Sequence, residues 1–298
     1  MHDAFPSCFG EYGVQVLDTS AGSNKVTQNL VTCLYQTKLA GKCRPLSITW
    51  FKNLIGQGLS VNVDVDQHMC KVDMKPWMFW KKQGLKSFEV DDIKVEVYWD
   101  LSSANYICGP VPSDSFFVAV VSAGEVVLLL GDMYNEAYKK TKAKPASIEA
   151  IRVSRSEHVF GKRYHCTKAQ FEEGGKAHDI VIECQIRPSS EPRMYVRVDQ
   201  QIVVQVKRLM WKFRGNQTIV VDGAPVEVFW DVHSWLFNPR AGHAVFMFQT
   251  CLSSDKPWLK EVDACPSVLQ WPGTYSFKDK HSSGSIGFSL VLFAWKCD

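Results

Sequence analysis

Val95-Glu96-Val97-Tyr98-Trp99-Asp100 occurs a second time as Val226-Glu227-Val228-Phe229-Trp230-Asp231, 131 positions on and different only at Tyr98/Phe229. The echo extends upstream at the same offset, with Val90-Asp91 against Val221-Asp222 and Trp80-Lys81 against Trp211-Lys212. Further back the offset becomes 133: Val63-Asp64-Val65-Asp66-Gln67 meets Val196-Arg197-Val198-Asp199-Gln200, and Cys33 and Gly41 meet Cys166 and Gly174. A change of two residues between matched blocks is what a short loop insertion produces. The chain therefore reads as a duplicated β unit of about a hundred residues, within the usual size range of one domain. On a strand Val95, Val97 and Trp99 face one way while Glu96, Tyr98 and Asp100 face the other. Trp99 and Trp230 are expected in equivalent core positions.

Outward from this stretch the chain divides into four parts. Residues 1–27 form a loose N-terminal segment, since Thr19-Ser20-Ala21-Gly22-Ser23-Asn24 is too small and polar to pack. Residues 28–131 form the first repeat, with strands around 30–36, 46–52, 61–65 and 70–74. The short Asp66-Gln67-His68 connection marks an antiparallel hairpin, because parallel strands need a long crossover. The hallmark hairpin turns on Asp222-Gly223 in the later copy, a strong two-residue turn, and on Asp91-Asp92 in the earlier one. Phe116–Val121 and Glu125–Leu130 make another hairpin around Ala123-Gly124. Residues 132–160 read as a helix and a basic linker. Asp132 is a favourable N-cap, and the helix runs out near Lys144-Pro145 because a residue before proline avoids helical angles. Residues 161–298 form the second repeat, in which an insertion bearing Pro257, Pro266 and Pro272 delays a last strand at Ile286–Trp295. That strand is apolar nearly throughout, as if covered on both sides. Some eight short strands per repeat give an all-β fold, two tandem antiparallel β-sandwich repeats joined by a short helix and a basic linker.

Composition narrows the function classes. The 298 residues are 46% apolar and 22% charged, as in soluble globular proteins. A net charge of +3 is too mild to indicate nucleic acid. The start of the chain lacks a basic region followed by an apolar core, and no apolar run approaches a bilayer span. These features lead to the expectation of a soluble intracellular protein with reduced thiols, and Asn216-Gln217-Thr218 is then a chance glycosylation match. The ten cysteines contain no Cys-x-x-Cys pair, so no zinc cluster is signalled, and no cofactor is expected.

Long stretches resemble a known family. Gln28-Asn29-Leu30-Val31-Thr32-Cys33-Leu34-Tyr35-Gln36, Cys70-Lys71-Val72-Asp73-Met74-Lys75-Pro76-Trp77, Val206-Lys207-Arg208-Leu209-Met210-Trp211-Lys212-Phe213-Arg214-Gly215-Asn216 and Gly287-Phe288-Ser289-Leu290 look like the plant-specific family catalogued as domain of unknown function 868. The resemblance spans nearly the whole chain and implies a land-plant protein. It implies no reaction, cofactor or catalytic residue.

Four residue groups carry candidate chemistry. Glu96 and Asp100, and likewise Glu227 and Asp231, are four residues apart on a strand, hence roughly 13 Å apart at about 3.3 Å per residue. Paired glycosidase carboxyls stand roughly 5–9.5 Å apart, so neither pair serves alone as acid and base. A strand-end carboxylate that binds turn amides is the alternative role. Asp64, Asp66, Asp91 and Asp92 suggest calcium, but the second repeat has Arg197 and Gly223 at two of these places, a poor oxygen set. His68 with Cys70, and His165 with Cys166, are too close along a strand to form a thiol–base pair on that spacing alone. Finally, Lys139, Lys140, Lys142 and Lys144 form the most basic part of the chain, and His233-Ser234-Trp235 is a loop that differs between the matched halves. These six residues, the four lysines with His233 and Trp235, are the candidate surface for a protein partner or small ligand. The expectation is a non-catalytic binding or interaction module. The competing readings are a carbohydrate-active hydrolase and a lectin-like carbohydrate-binding protein.

Overall fold

A computed structural model describes residues 27–53, 56–65, 68–74, 82–107, 109–161, 164–172, 174–187, 190–238, 242–251 and 286–296. The sequence expectations for 1–26, for Asp66 and for the proline-bearing insertion lie outside these residues. Among the described residues the fold is mostly β, in several sheets, with two short helices and no barrel.

The first half contributes β1 (Thr27–Leu39), β2 (Lys42–Asn53), β3 (Gly56–Val65), β4 (His68–Met74), β5 (Gln83–Val90), β6 (Ile93–Asp100), β7 (Phe117–Ser122) and β8 (Glu125–Gly131). Then come α1 (Tyr134–Thr141), β9 (Lys144–Pro145) and β10 (Ile151–Phe160). The second half contributes β11 (Tyr164–Gln170), β12 (Ala177–Arg187), β13 (Ser190–Val198), β14 (Gln201–Val206), β15 (Arg214–Val221), β16 (Ala224–Asp231), α2 (His233–Phe237), β17 (His243–Cys251) and β18 (Ile286–Trp295). They form a nine-stranded sheet in the order β15-β16-β17-β18-β10-β1-β2-β3-β4, a four-stranded sheet β11-β12-β13-β14 and a five-stranded sheet β5-β6-β7-β8-β9.

The expected linker is corrected by β10. Ile151–Phe160 is a strand in the middle of the nine-stranded sheet, antiparallel to β1 on one edge and parallel to β18 on the other. Its basic residues are accommodated because Arg155 pairs with Glu157 and the Arg152 guanidinium lies over the Phe288 ring. Strands from both halves therefore share one sheet.

Lateral register explains where the cores lie. Gly215, Trp230, Phe246, Leu292, Glu157, Val31, Trp50 and Leu59 form one row of paired residues across the nine-stranded sheet. Trp230, Phe246 and Leu292 belong to a core shared with the four-stranded sheet. Val31, Trp50 and Leu59 belong to a core shared with the five-stranded sheet. Both smaller sheets thus cover the same face, and Glu157 marks the seam between them. Fully buried, it accepts hydrogen bonds from Gln28 Nε2 at 2.6 Å and Thr167 Oγ1 at 2.5 Å and forms an ion pair with Arg155.

The hallmark strands behave as the alternation requires. Val95, Val97 and Trp99 are buried in one core, and Val226, Val228 and Trp230 in the other. Each tryptophan lies over a cross-strand glycine. A Cβ on Gly84 would stand 2.3 Å from Trp99 Cζ2, and one on Gly215 would stand 2.4 Å from Trp230 Cζ2. The turns Asp91-Asp92 and Asp222-Gly223 both have positive φ at both positions, the twist that two-residue hairpins require. A side chain on the second strand of each half reaches these turns through a nitrogen. Arg44 contacts Asp91 at 2.5 Å, and His178 Nε2 contacts Asp222 at 2.8 Å while its Nδ1 faces Asp199 at 2.9 Å.

Two further expectations are corrected. Asp132 does not cap α1: its carboxylate accepts the Phe116 amide at 3.1 Å, and Met133 takes the N-cap position without a side-chain bond. Gly131 and Asp132 are held against the start of β7, so the helix begins one residue later. The helix buries Ala137 against Phe117, Ala119 and Val121, which explains why β7 is buried on both faces. β18 is core on one face only. Leu290, Leu292 and Ala294 are buried inward, while Phe293 and Trp295 lie half-buried beside His158 and His243.

Two outcomes follow for stability. Trp99→Ala and Trp230→Ala should each cost about 3–5 kcal/mol in urea unfolding, and Gly84→Ala and Gly215→Ala should each destabilise as well. A neutral result for either tryptophan would remove it from the core. The Asp199 carboxyl, bonded first by the Asp179 amide, then by His178 and Lys176, is lowered from 3.8 to about 2. Because the folded value lies below the unfolded one, its contribution is present above about 3.8 and is lost as pH falls toward 2. Asp199→Asn should abolish this part of the acid transition, and a carboxyl titration with its midpoint near 4 in the folded protein would contradict the assignment.

Candidate functional site

The duplicated carboxylates have structural partners. Asp100 ends β6, and its Oδ1 accepts the Ser102 amide at 3.1 Å and the Ser102 hydroxyl at 2.6 Å. Burial raises this carboxyl, but the Ser102 bonds and the Lys140 ammonium at 2.9 Å outweigh it and hold the group below its ordinary range. Asp231 repeats the motif: its Oδ1 accepts the His233 amide at 3.0 Å, and Arg214 Nε donates to Oδ2 at 2.7 Å. Each caps the amide two residues beyond its strand, which is the strand-end role. Glu96 is paired with Lys94 at 2.6 Å and lines a cleft of about 310 Å³ between the end of α1 and the β7–β8 turn. Glu96 is the only carboxylate among the residues lining that cleft.

The remaining acidic and thiol candidates do not converge. Asp91 is engaged by Lys42 at 3.0 Å and by Arg44, which lower its pKa. Asp66 and the side chains of Asp64, His68 and Cys70 lie outside the described residues. His165 is 1% exposed, with both ring nitrogens lacking a partner, and burial brings its pKa down to about 4. Cys166 lies on the opposite face of β11, and partial desolvation of its sulfur by the surrounding protein, followed by the Asp179 charge, raises its pKa. Adjacent strand residues point to opposite faces, so His165 is not positioned to activate Cys166.

The lysine group is split by function. Lys140 bridges Asp100 and Gln83 and stands 5.6 Å over the Phe117 ring, so it ties α1 to its sheet. Lys139, Lys142 and Lys144 are exposed and enter none of the ion pairs among the described residues. Lys142 lines the 310 Å³ cleft. The divergent segment at His233 is a short helix, α2. Trp235 is 1% exposed, packs edge-on to His165 and lies under the Lys296 ammonium, so it is a core residue and not a stacking platform. His233 stays exposed, with its ring 5.1 Å from Phe213 and 5.0 Å from Phe237.

Beside α2 lies a further exposed turn. The crossover from β14 to β15 is a tight turn in which Trp211 and Lys212 amides donate to the Arg208 carbonyl at 2.9 and 3.1 Å. Buried Leu209 anchors it, its amide bonded to Pro192 O at 3.0 Å, and Trp230 Nε1 donates to Lys212 O at 3.0 Å. This turn presents Trp211 at 82% exposure and Met210 at 40%, with Lys207, Arg208 and Lys212 exposed around them. The signal was present in Lys207-Arg208-Leu209-Met210-Trp211-Lys212, where cations bracket apolar residues in a segment too short for another strand. Alternation cannot tell whether such a tryptophan points in or out.

Alkylation tests the thiol assignment. The Cys166 rate with iodoacetamide should keep rising beyond pH 9, with no plateau near neutrality. A neutral-pH plateau would restore an activated thiol.

Among the described residues no helix is long and apolar enough to cross a membrane. No curated protein and no solved structure matches the chain. One family model, described as a plant protein of unknown function (DUF868), matches residues 26–296. The match includes every strand and both helices, and the chain belongs to this plant family.

Proposed function

We propose that the chain is a non-catalytic interaction module built from two sandwich units of eight strands each, one ending at β8 and the other at β18. The paired Trp-over-Gly contacts, the matching hairpin turns and the two strand-end aspartates support the duplication. The surface that carries the binding reading is the turn at 207–212 with α2 beside it.

The carrying observation is an indole held almost fully in water by a hydrogen-bonded turn. Burying a tryptophan removes roughly 150–250 Å² from water, worth about 4–6 kcal/mol at about 25 cal/mol/Å². Tryptophan, methionine and arginine are the residues enriched where partners meet, and anchors of this kind dominate binding energy. The flanking cations favour an acidic protein surface with an apolar pocket for Trp211. Lys139, Lys142 and Lys144 form a second basic patch suited to the same class of partner.

Trp211 also favours the lectin-like reading, since an exposed indole stacks on sugar rings. Ringed by the exposed cations Lys207, Arg208 and Lys212, it suits an acidic protein surface better than a neutral sugar.

Affinity capture from plant extract, with wild type, Trp211→Ala and the triple change of Lys139, Lys142 and Lys144 to Glu, tests the proposal. Trp211→Ala should leave stability within about 0.5 kcal/mol, because it touches no core. It should lose a partner that the wild type retains. Retention of the same partners by both variants would defeat the interaction surface. Turnover of a glycan panel, abolished by Glu96→Gln, would establish the hydrolase instead.

A further inference from the structure

The seam between the two cores ends in a small basic cavity. About 170 Å³ in volume, it is lined by Arg152 and Arg155 of β10, Lys168 and Gln170 of β11, and Phe288 of β18. Three cations line this space, and among the described residues two carboxylates, Glu157 and Asp179, pair with them. Glu157 is engaged by Arg155, Gln28 and Thr167. Asp179 pairs with Lys168 at 3.4 Å with both side chains exposed, where water weakens the attraction. Arg152 is half-buried, enters none of the ion pairs among the described residues, and lies with its guanidinium 5.0 Å from the Phe288 ring centre.

A guanidinium drawn partly out of water lowers its free energy by meeting an oxyanion. Stacked on a ring, Arg152 is also fixed in orientation, with its N–H donors left for a planar or tetrahedral acceptor. Gln170 adds an amide group at the same wall, although its Nε2 already donates to Gly175 O at 2.9 Å. The volume falls below the roughly 300–1,000 Å³ of pockets that enclose whole drug-sized ligands. It suits one small anionic group. Two guanidiniums and an ammonium stand against two carboxylates, Glu157 and the exposed Asp179, so the wall keeps a net positive charge with several N–H donors that suit an oxyanion of several acceptor oxygens.

We infer that Arg152, Arg155 and Lys168 form a binding site for a phosphate group, free or carried at the end of a small molecule, in the seam between the two cores. The site lies apart from the Trp211 turn and does not depend on it.

Calorimetry and thermal unfolding of the full chain with inorganic phosphate, against sodium chloride and acetate at matched ionic strength, provide the test. Phosphate should bind with measurable heat and raise Tm by several degrees, while acetate and chloride should not. Arg152→Gln and Lys168→Gln each remove one charge from the cavity wall and leave the Arg155–Glu157 pair in place. Each should weaken phosphate binding by about tenfold or more, the loss of one charge-assisted contact. Full phosphate affinity in both variants, an equal response to acetate, or no binding heat with the wild type would each overturn the site. If phosphate binds, a glucose 6-phosphate arm separates the sources: tighter binding than inorganic phosphate assigns the site to a carried group, and weaker binding assigns it to the free ion.

Discussion

The structure depends on the burial of Glu157 in the middle of the nine-stranded sheet. Its neighbours along the lateral row are Leu292 on one side and Val31 on the other, both apolar and fully buried. A carboxylate placed there is tolerated only because Arg155, Gln28 and Thr167 each supply a donor. Those donors come from three strands, β10, β1 and β11. The ion pair thus makes the joining of the two halves conditional on all three being in register. An apolar residue at 157 would remove that condition, while loss of Arg155 alone would leave a buried charge uncompensated.

From this seam the rest of the architecture follows. Both cores lie on one face of the large sheet, so each smaller sheet needs only one apolar face toward it. The five-stranded sheet carries a second apolar face at Phe117, Ala119 and Val121, and α1 covers it. Lys140 holds that helix down through Asp100, the same strand-end carboxylate that organises the Ser102 turn. In the second half Asp231 accepts the amide of His233, the first residue of α2, and Arg214 replaces the lysine. One local motif is thereby put to two uses, one tying a helix to a sheet and the other positioning a helix beside the exposed Trp211 turn.

The matched strands do not occupy matched sheets. β1–β4 enter the nine-stranded sheet, whereas β11–β14, their counterparts by sequence, form a sheet of their own; β5–β8 and β15–β18 show the reverse assignment. The strand β10, in a segment that reads as a polar linker, brings the two dissimilar edges together. Its residues Arg152, Arg155 and Glu157 appear in the sequence as solvated charge, because hydropathy registers side chains and not the neighbours that neutralise them.

What the sequence by itself determined is local. The alternation Val95-Val97-Trp99 and its copy placed both tryptophans inward, Asp222-Gly223 and Asp91-Asp92 set two-residue turns, and Asp100 and Asp231 were legible as carboxylates at strand ends. Each depends on residues within a few positions of one another. Only the tertiary structure decided that Trp235 is core while Trp211 stands in water, that Asp132 serves β7 and not α1, and that the charged stretch after the helix is a central strand. These depend on which strand edges meet and on what packs above a residue. Edge hydrogen bonds are made by the backbone, which every sequence carries alike, so local pattern holds no record of the partner.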